Sequence, residues 1–391
     1  MMTGVRMERY RVIAGTIMGE ITVREASGML GLSERQIKRL KAGVKEYGAG
    51  YLTHGNTGRK PAHAVSEAQE EGVVAAACGK YQGANAQHLC ELLAEHEGIC
   101  LSRSSVSRIL KRHAISKSRE YHRNPHPSRE RKARFGMLEQ TDASAYAWFD
   151  GITGSLHGMI DDATGKVLAL WLEPTECLKG YFEAARIMIR RYGCPMSLYA
   201  DRHTIFQGQP ARKASHADDF VGVPAPKSQF ERAMSELGIA LIAAHSPQAK
   251  GRVERLWGTL QSRLPLEFAL AGVHSVEQAN TFLASYITKH NRLFAIKPAM
   301  DGSACTLAPH ARALDFILCR KESRMLDAGG CFSFQGQRYQ PFSHGRAVAL
   351  PSRTPVQVLF SSRIGIRLQA LGTVYSVRMF PKGLRAFALD G

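Results

Sequence analysis

The sequence predicts a multidomain chain: all-α helix-turn-helix units at the front, an α/β core in the middle and a small β-barrel at the end. Three observations lead to this. Up to about residue 115 the apolar residues recur at helical spacing, from about 136 to 174 they form strand-type runs, and from 329 to 380 short β-type runs follow one another between turns. At 391 residues there is room for two to four domains, because a single core rarely grows past about 250 residues.

The first helix is read over 9–18, on Tyr10, Val12, Ile13, Ile17 and Met18, and the spacing repeats through Val23, Ala26, Met29 and Leu30. After the turn Gly31-Leu32, Ser33 and Gln36 form a reciprocal cap for a third helix with inner face Ile37, Leu40 and Val44. Arg35, Lys38, Arg39, Lys41 and Lys45 then face outward, as a recognition helix in a major groove requires. A solvated charged face is the plainer reading of the same pattern. A second unit, of winged-helix or homeodomain type, follows. Leu89, Leu92 and Leu93 line a helix ending near Gly98, and Ser102 opens another with core face Val106, Ile109 and Leu110, leaving Arg103, Arg108, Lys111 and Arg112 outside.

Between the units, HGNTGRKPAH at 54–63, with Arg59 and Lys60, is either a plain linker or an extended arm for a minor groove. From Ser116 to Arg134, seven Lys/Arg stand against two Glu with no apolar period, which reads as a linker that tracks phosphates. The expected domains are therefore 1–50, a basic linker 51–64, 65–115, a second basic linker 116–135, the core 136–295, a connector 296–325 and the barrel 326–391.

Within the core, LEQTDASAYAWF, GSLHGMIDD and KVLALWLEP read as an antiparallel meander. A helix at about 177–192, the strand MSLYAD, a helix from Phe230 to Leu237, a strand from Ile239 to Ala243 and a long helix from Gly251 to Leu264 complete it, with a last helix at 276–290. Three strands, a helix, a strand, then further helix and strand is the order of an RNase H-like α/β fold.

Lys and Arg number 52 against 34 Asp and Glu, a net charge of +18, which points to a polyanionic partner. Nucleic acid fits better than a membrane surface, because the basic residues lie on helix-turn-helix patterns and a linker. No stretch approaches the roughly 18 uncharged apolar residues of a membrane span, and no secretory leader is seen, so the expected location is the cytoplasm, on the nucleoid. The eight cysteines form no C-x-x-C pair and read as buried thiols in a reducing compartment. Cys90 and Cys100, near His88, His96 and His113, lack the closed spacing of a zinc site.

Three acids fall where such a fold brings strand ends together: Asp142 in the first strand, Asp201 at the end of the strand after the first helix, and Glu254 near the start of a helix. Phosphodiester chemistry needs an activated oxygen nucleophile and a stabilised leaving oxygen, which two divalent ions about 3.5–4 Å apart supply. Hard ions such as Mg²⁺ take oxygen ligands, hence Asp and Glu. Asp142 is assigned as the bridging ligand, with Asp201 and Glu254 as ligands to one ion each. The other acids, Glu139, Asp150, Asp161, Asp162, Asp218 and Asp219, read as surface groups.

QTDAS, YADRHTIF and SPQAKGRVERLWGTLQSRL, in that order, resemble the catalytic blocks of DDE transposases and retroviral integrases, most closely the ISNCY insertion-sequence transposases. The resemblance covers the whole chain and implies an RNase H-like integrase core, Mg²⁺ with Mn²⁺ as a substitute, and Lys250 and Arg252 at the DNA near the cleaved phosphate. It also implies binding of inverted-repeat ends, cleavage and joining of the 3′-hydroxyl ends to target double-stranded DNA, by a dimer or larger assembly. The stretch of 52 residues between Asp201 and Glu254 is longer than in short-spaced integrases and holds the loop from Thr204 to Ser228. His203 either approaches the phosphate or packs at the strand end, and Trp257 is expected as core beneath the helix of Glu254. A transposase-derived DNA-binding repressor without catalysis, and a nuclease acting on RNA-containing duplexes, are the rival functions.

Overall fold

The computed structural model describes residues 4–53, 64–115, 129–149, 151–208, 227–243 and 251–380. The chain divides into two compact units, Met1–Val73 and Val74–Gly391.

In the first unit, α1 (Gly4–Met18), α2 (Val23–Leu30) and α3 (Glu34–Tyr47) enclose a core of Ile13, Ala26, Ile37, Val44 and Leu52. Reciprocal caps start two of them. The Thr22 amide donates to the Glu25 carboxylate at 2.8 Å while Thr22 Oγ1 accepts from the Glu25 amide, and Ser33 and Gln36 do the same for α3. Gly31 ends α2 in the left-handed region at φ +61, which favours a residue without Cβ. The first helix starts five residues earlier than its apolar period suggests.

α4 (Glu67–Cys78) crosses the boundary between the units. In the second unit, α5 (Ala86–His96), capped by Asn85, packs on α6 (Arg103–Arg112), capped by Ser102. Their buried apolar residues, Leu89, Leu92, Leu93, Val106, Ile109 and Leu110, are those the sequence marks.

The α/β core is a five-stranded mixed sheet. β1 (Glu139–Phe149), β2 (Ile152–Asp161) and β3 (Val167–Glu173) form the antiparallel meander, then α7 (Leu178–Tyr192) leads to β4 (Ser197–Ala200) beside β1 and parallel to it. α8 (Gln229–Glu236) leads to β5 (Ala240–Ala243), parallel to β4, giving the order β3-β2-β1-β4-β5. α9 (Gly251–Gln261), α10 (Leu264–Leu270) and α11 (Val276–Phe294) cover one face around Trp148, Leu156, Leu170, Trp257 and Leu283, while α7 and α8 cover the other around Met159, Tyr181, Phe206 and Phe230. The helix expected over 251–264 is in fact broken before α10, whose first turn holds Pro265, where a missing N–H costs nothing.

Glu139, Asp161 and Asp162, expected at the surface, are buried. The hairpin turn that carries the two aspartates is folded inward. Asp161 accepts from the Gly136 amide at 3.1 Å and the Thr164 amide at 2.7 Å, and Asp162 from the Lys132 amide at 2.8 Å and Gln140 Nε2 at 2.9 Å. Burial, with Asp161 and Asp162 close by, pushes the Glu139 carboxyl well above the usual range. Asp150, Asp218 and Asp219 lie outside the described residues.

The stretch expected as a connector, 296–325, holds α12 (Ala311–Ile317) and β6 (Arg320–Met325). β6 pairs with β10, so the C-terminal sheet begins before residue 326. With β7 (Phe332–Phe334), β8 (Gln337–Ser343), β9 (Arg346–Ala347), β10 (Pro355–Ser361), β11 (Gly365–Ala370) and β12 (Thr373–Phe380), its order is β6-β10-β11-β12-β8-β7, with β9 on β8. The sheet curls until its ends meet: Arg324 Nε of β6 donates to the Ser333 carbonyl of β7 at 3.3 Å. Leu326, Phe332, Phe334, Val358 and Leu368 fill it. Arg363, in the β10–β11 turn, fastens this sheet to α7 by donating to both oxygens of Glu183.

All eight cysteines are free thiols; Cys194, Cys319 and Cys331 are buried as expected, whereas Cys78 and Cys100 are exposed. Among the described residues no helix is long and apolar enough to cross a membrane.

His290 of α11 is buried, and burial together with the positive charge of Arg263 lowers its pKa to about 4. An unfolded histidine titrates near 6.5. As pH falls below that value the unfolded chain takes up the proton first, so stability is full above about pH 6.5 and decreases toward pH 4, by about 3 kcal/mol for this group. Urea midpoints measured at pH 7 and pH 4.5 should therefore differ less in His290→Phe than in the parent chain.

Candidate active site

β1 and β4 run parallel, with Gln140 opposite Tyr199. Two residues further along each strand come Asp142 and Asp201. Side chains repeat every second residue on a strand, so the register sets both carboxylates on one face, Asp142 within β1 and Asp201 just past the end of β4. Both also act electrostatically on Tyr181 of α7, whose hydroxyl donates to Glu176 Oε1 at 2.6 Å. Burial first, then Glu176, Asp142 and Asp201, push that hydroxyl far up, and it stays neutral.

Past Asp201 the chain turns. Asp201 Oδ1 accepts the His203 amide at 3.0 Å, and His203 Nδ1 accepts the Ile205 amide at 3.3 Å. His203 is exposed, with Nδ1 engaged in the turn and the opposite ring nitrogen left to carry the proton of the neutral form. Phe206 anchors the turn against Tyr181 and Phe230, at ring centroid distances of 4.6 and 5.1 Å.

Asp142 is held on the α9 face of the sheet, opposite Tyr181. Trp257, buried in the α9 core as the sequence predicts, donates its indole N–H to Asp142 Oδ2 at 3.1 Å. Gly158, opposite Asp142 on β2, leaves room for that ring: a Cβ there would lie 2.6 Å from Trp257 Cη2. Glu254 lies one helical turn before Trp257, exposed and in the first turn of α9, where the helix dipole favours a negative charge. Asp142 and Asp201 offer oxygen donors suited to a hard divalent ion. Among the described residues, however, no three His, Cys, Asp or Glu side chains come close enough together to hold a metal ion, so Glu254 is a neighbour of the pair through Trp257 and not a member of a preformed cluster.

The basic residues divide into three groups. Arg35, Lys38 and Arg39 are exposed on α3, and Arg103, Arg108, Lys111 and Arg112 on α6. Two others face inward instead. Lys41 donates to the Thr16 carbonyl near the end of α1, where a cation complements the helix dipole. Arg252, expected at the DNA, is buried: Nε donates to the Asp162 carbonyl at 2.9 Å and pairs with its carboxylate at 3.1 Å. A buried aspartate needs that counter-charge. Arg59, Lys60 and Lys250 lie outside the described residues.

The sequence reading missed Tyr181, Gly158 and the polar contact of Trp257. None of the three left a local signal, because each depends on a partner far along the chain.

No family model matches the chain. The transposase for insertion sequence IS1202 from Streptococcus pneumoniae is 34% identical to it over 409 residues, covering 95% of this chain and 85% of that protein. The putative transposase y4bF from Sinorhizobium fredii (strain NBRC 101917 / NGR234) is 34% identical over 337 residues, covering 85% and 72%. Among solved structures, the HTLV-2 integrase catalytic core domain in complex with magnesium is 18% identical, with a TM-score of 0.32, over 45% of this chain and 96% of that one.

Trp257→Phe keeps the ring in the core and removes the indole N–H. A hydrogen bond to a charged acceptor is worth about 1.5–3 kcal/mol, and urea unfolding should show a loss of that size. Asp142→Ala made on top of Trp257→Phe should cost less than Asp142→Ala alone; additive losses would mean that the two side chains do not interact in solution.

Proposed function

The chain belongs to the insertion-sequence transposases, which makes it a polynucleotidyl transferase, and from that premise we propose that it grips the inverted-repeat ends of its own element, cleaves them and joins the freed 3′-hydroxyls to target DNA at Asp142, Asp201 and Glu254. The observation that carries the site is the register that sets Asp142 beside Asp201, with Glu254 one turn from the indole that holds Asp142. The DDE assignment, and the likeness to ISNCY enzymes in particular, rests on these residues and on the motifs around them. The strand order β3-β2-β1-β4-β5 supports an RNase H-like core.

Asp142 and Asp201 fit a divalent cofactor by donor type, and Glu254 would supply the third carboxylate. When bound, two Mg²⁺ ions, or Mn²⁺ in their place, would activate the attacking oxygen and stabilise the leaving one. The protein's own groups do the positioning. Trp257 fixes one oxygen of Asp142, the turn at His203 fixes Asp201, and Tyr181, kept neutral, closes the sheet beneath them without adding charge.

DNA is held by α2–α3 and α5–α6 acting as helix-turn-helix units. Their support is the exposed arginines and lysines on α3 and α6, the side-chain caps that start both helices, and the net charge of +18. Residues 1–50 and 65–115 are thus the proposed DNA-binding parts, with 51–64 and 116–135 as basic linkers, 136–295 the catalytic part, and a barrel whose first strand is β6, ahead of residue 326. Because two ends must be joined, a dimer or larger assembly on DNA is proposed.

With Mg²⁺ and labelled duplexes carrying the element's ends, Asp142→Asn, Asp201→Asn and Glu254→Gln should each abolish cleavage while end binding persists. Parallel loss of binding would mean a structural role, and a parent chain that binds without cutting would mean a repressor. Neutralising Arg35, Arg39 or Arg108 should weaken binding and reduce the slope of log K against log salt by about 1 for each phosphate that is no longer neutralised; an unchanged slope would take that residue off the DNA.

A further inference from the structure

α5 is joined to the catalytic core by a band of hydrogen-bonded and ion-paired side chains that none of the assigned roles uses. His88 is fully buried, with Nε2 3.0 Å from Glu267 Oε1 of α10. One turn on, Glu91 takes both guanidinium nitrogens of Arg263, at 2.5 and 3.2 Å. A further turn along, Glu95 meets Lys289 of α11 at 2.7 Å, and Lys289 also reaches Glu267 at 3.1 Å. Residues 88, 91 and 95 share one face of a helix. Side-chain exposure rises along the band, from 0% at His88 to 15% at Glu91 and 46% at Glu95.

Exposed ion pairs contribute little, but this band is largely out of water, and buried pairs are directional. An apolar face of the same area would hold α5 as firmly and could let it slide or rotate, whereas a forked guanidinium on a carboxylate accepts one geometry. Three contacts on one helix face, to partners from α10, α11 and the break before α10, fix both rotation and axial position. The anchor is also close in sequence to the site. Arg263 follows Gln261 of α9 by two residues, and Gln261 Nε2 donates to Ser144 Oγ of β1, two residues from Asp142. α6 packs on α5 and exposes Arg103, Arg108, Lys111 and Arg112.

We propose that α5 and α6 are a measuring arm fixed to the catalytic core, so that duplex DNA gripped by α6 is held at one set distance from Asp142 and Asp201 of the same chain, and this distance selects the phosphodiester that is cut. The proposal rests on the transposase reading. His88, Glu91, Glu95, Arg263, Glu267 and Lys289 are positioning residues on this account, since none of them touches the reacting atoms.

The test uses the full-length chain, Mg²⁺ and end-labelled duplex fragments spanning the borders of the element, with cut positions mapped to single nucleotides. The parent chain should cut at one phosphodiester. Glu91→Ala combined with Glu95→Ala should bind within about threefold of the parent, because the phosphate-binding side chains of α6 are intact. It should cut about 100-fold more slowly, the scale of loss from a displacement near 1 Å, and at several neighbouring positions. The exchange Glu91→Arg with Arg263→Glu should restore a single position, which loss of general stability would not do. If the double variant fails to fold, Glu95→Gln at the exposed rim gives the same reading on a smaller scale. A folded variant that cuts at the parental position and rate overturns the arm while leaving the transposase reading intact; a parent chain that cuts no end fragment overturns both.

Discussion

The bonding of α9 to β1 is the constraint on which the rest of the core depends. Val253, Trp257 and Gln261 are four residues apart on the helix, and Gln140, Asp142 and Ser144 are two apart on the strand. They meet in that order: the Val253 amide donates to Gln140 at 3.3 Å, the Trp257 indole to Asp142 at 3.1 Å and the Gln261 amide to Ser144 at 2.9 Å. Four helical residues rise about 6 Å and two strand residues about 6.7 Å, so the two periods stay matched over three contacts. A helix laid across the strand at a steep angle would make only one of them.

This match sets the environment of each acid. Asp142 is held by one oxygen from the α9 face of the sheet, and Gly158 makes the space that lets Trp257 reach it. Glu254 is carried to the same end of the sheet by the helix that bears Trp257, but on an exposed face. The pair on β1 and after β4 is set by backbone register, whereas the third acid depends on how a helix is placed. That difference in origin fits the finding that no group of three metal-ligating side chains among the described residues is closed.

At the first turn of α9 the same packing has a second result. Gln140 joins the Val253 amide to Asp162, and Asp162 in turn engages Arg252 and Arg129. The hairpin turn between β2 and β3 and the segment entering β1 are therefore tied to the start of α9. At its far end, Arg263 passes the constraint to α5. α9 thus lies between the carboxylates, the β2–β3 turn and one of the two basic helix pairs, all within the second unit.

By itself the sequence determined what short-range physics controls. Ser33 with Gln36 and Ser102 mark helix starts because the cap and its acceptor lie three residues apart. The β1–β3 meander is legible from its β-type runs and the turn between β2 and β3, and the three candidate acids are read from the fold order and their motifs. The tertiary structure decided what depends on partners far along the chain. β6, with the sequence RKESRM, has no apolar alternation and becomes a strand only because β10 pairs with it. Asp162 and Arg252 both look like surface groups until the fold brings them together across a separation of 90 positions. Trp257 shows its apolar body in the sequence and its polar contact only once β1 lies beneath it. Caps and periods are written within a turn or two of chain, whereas the burial and pairing of a charge depend on whatever the fold sets beside it.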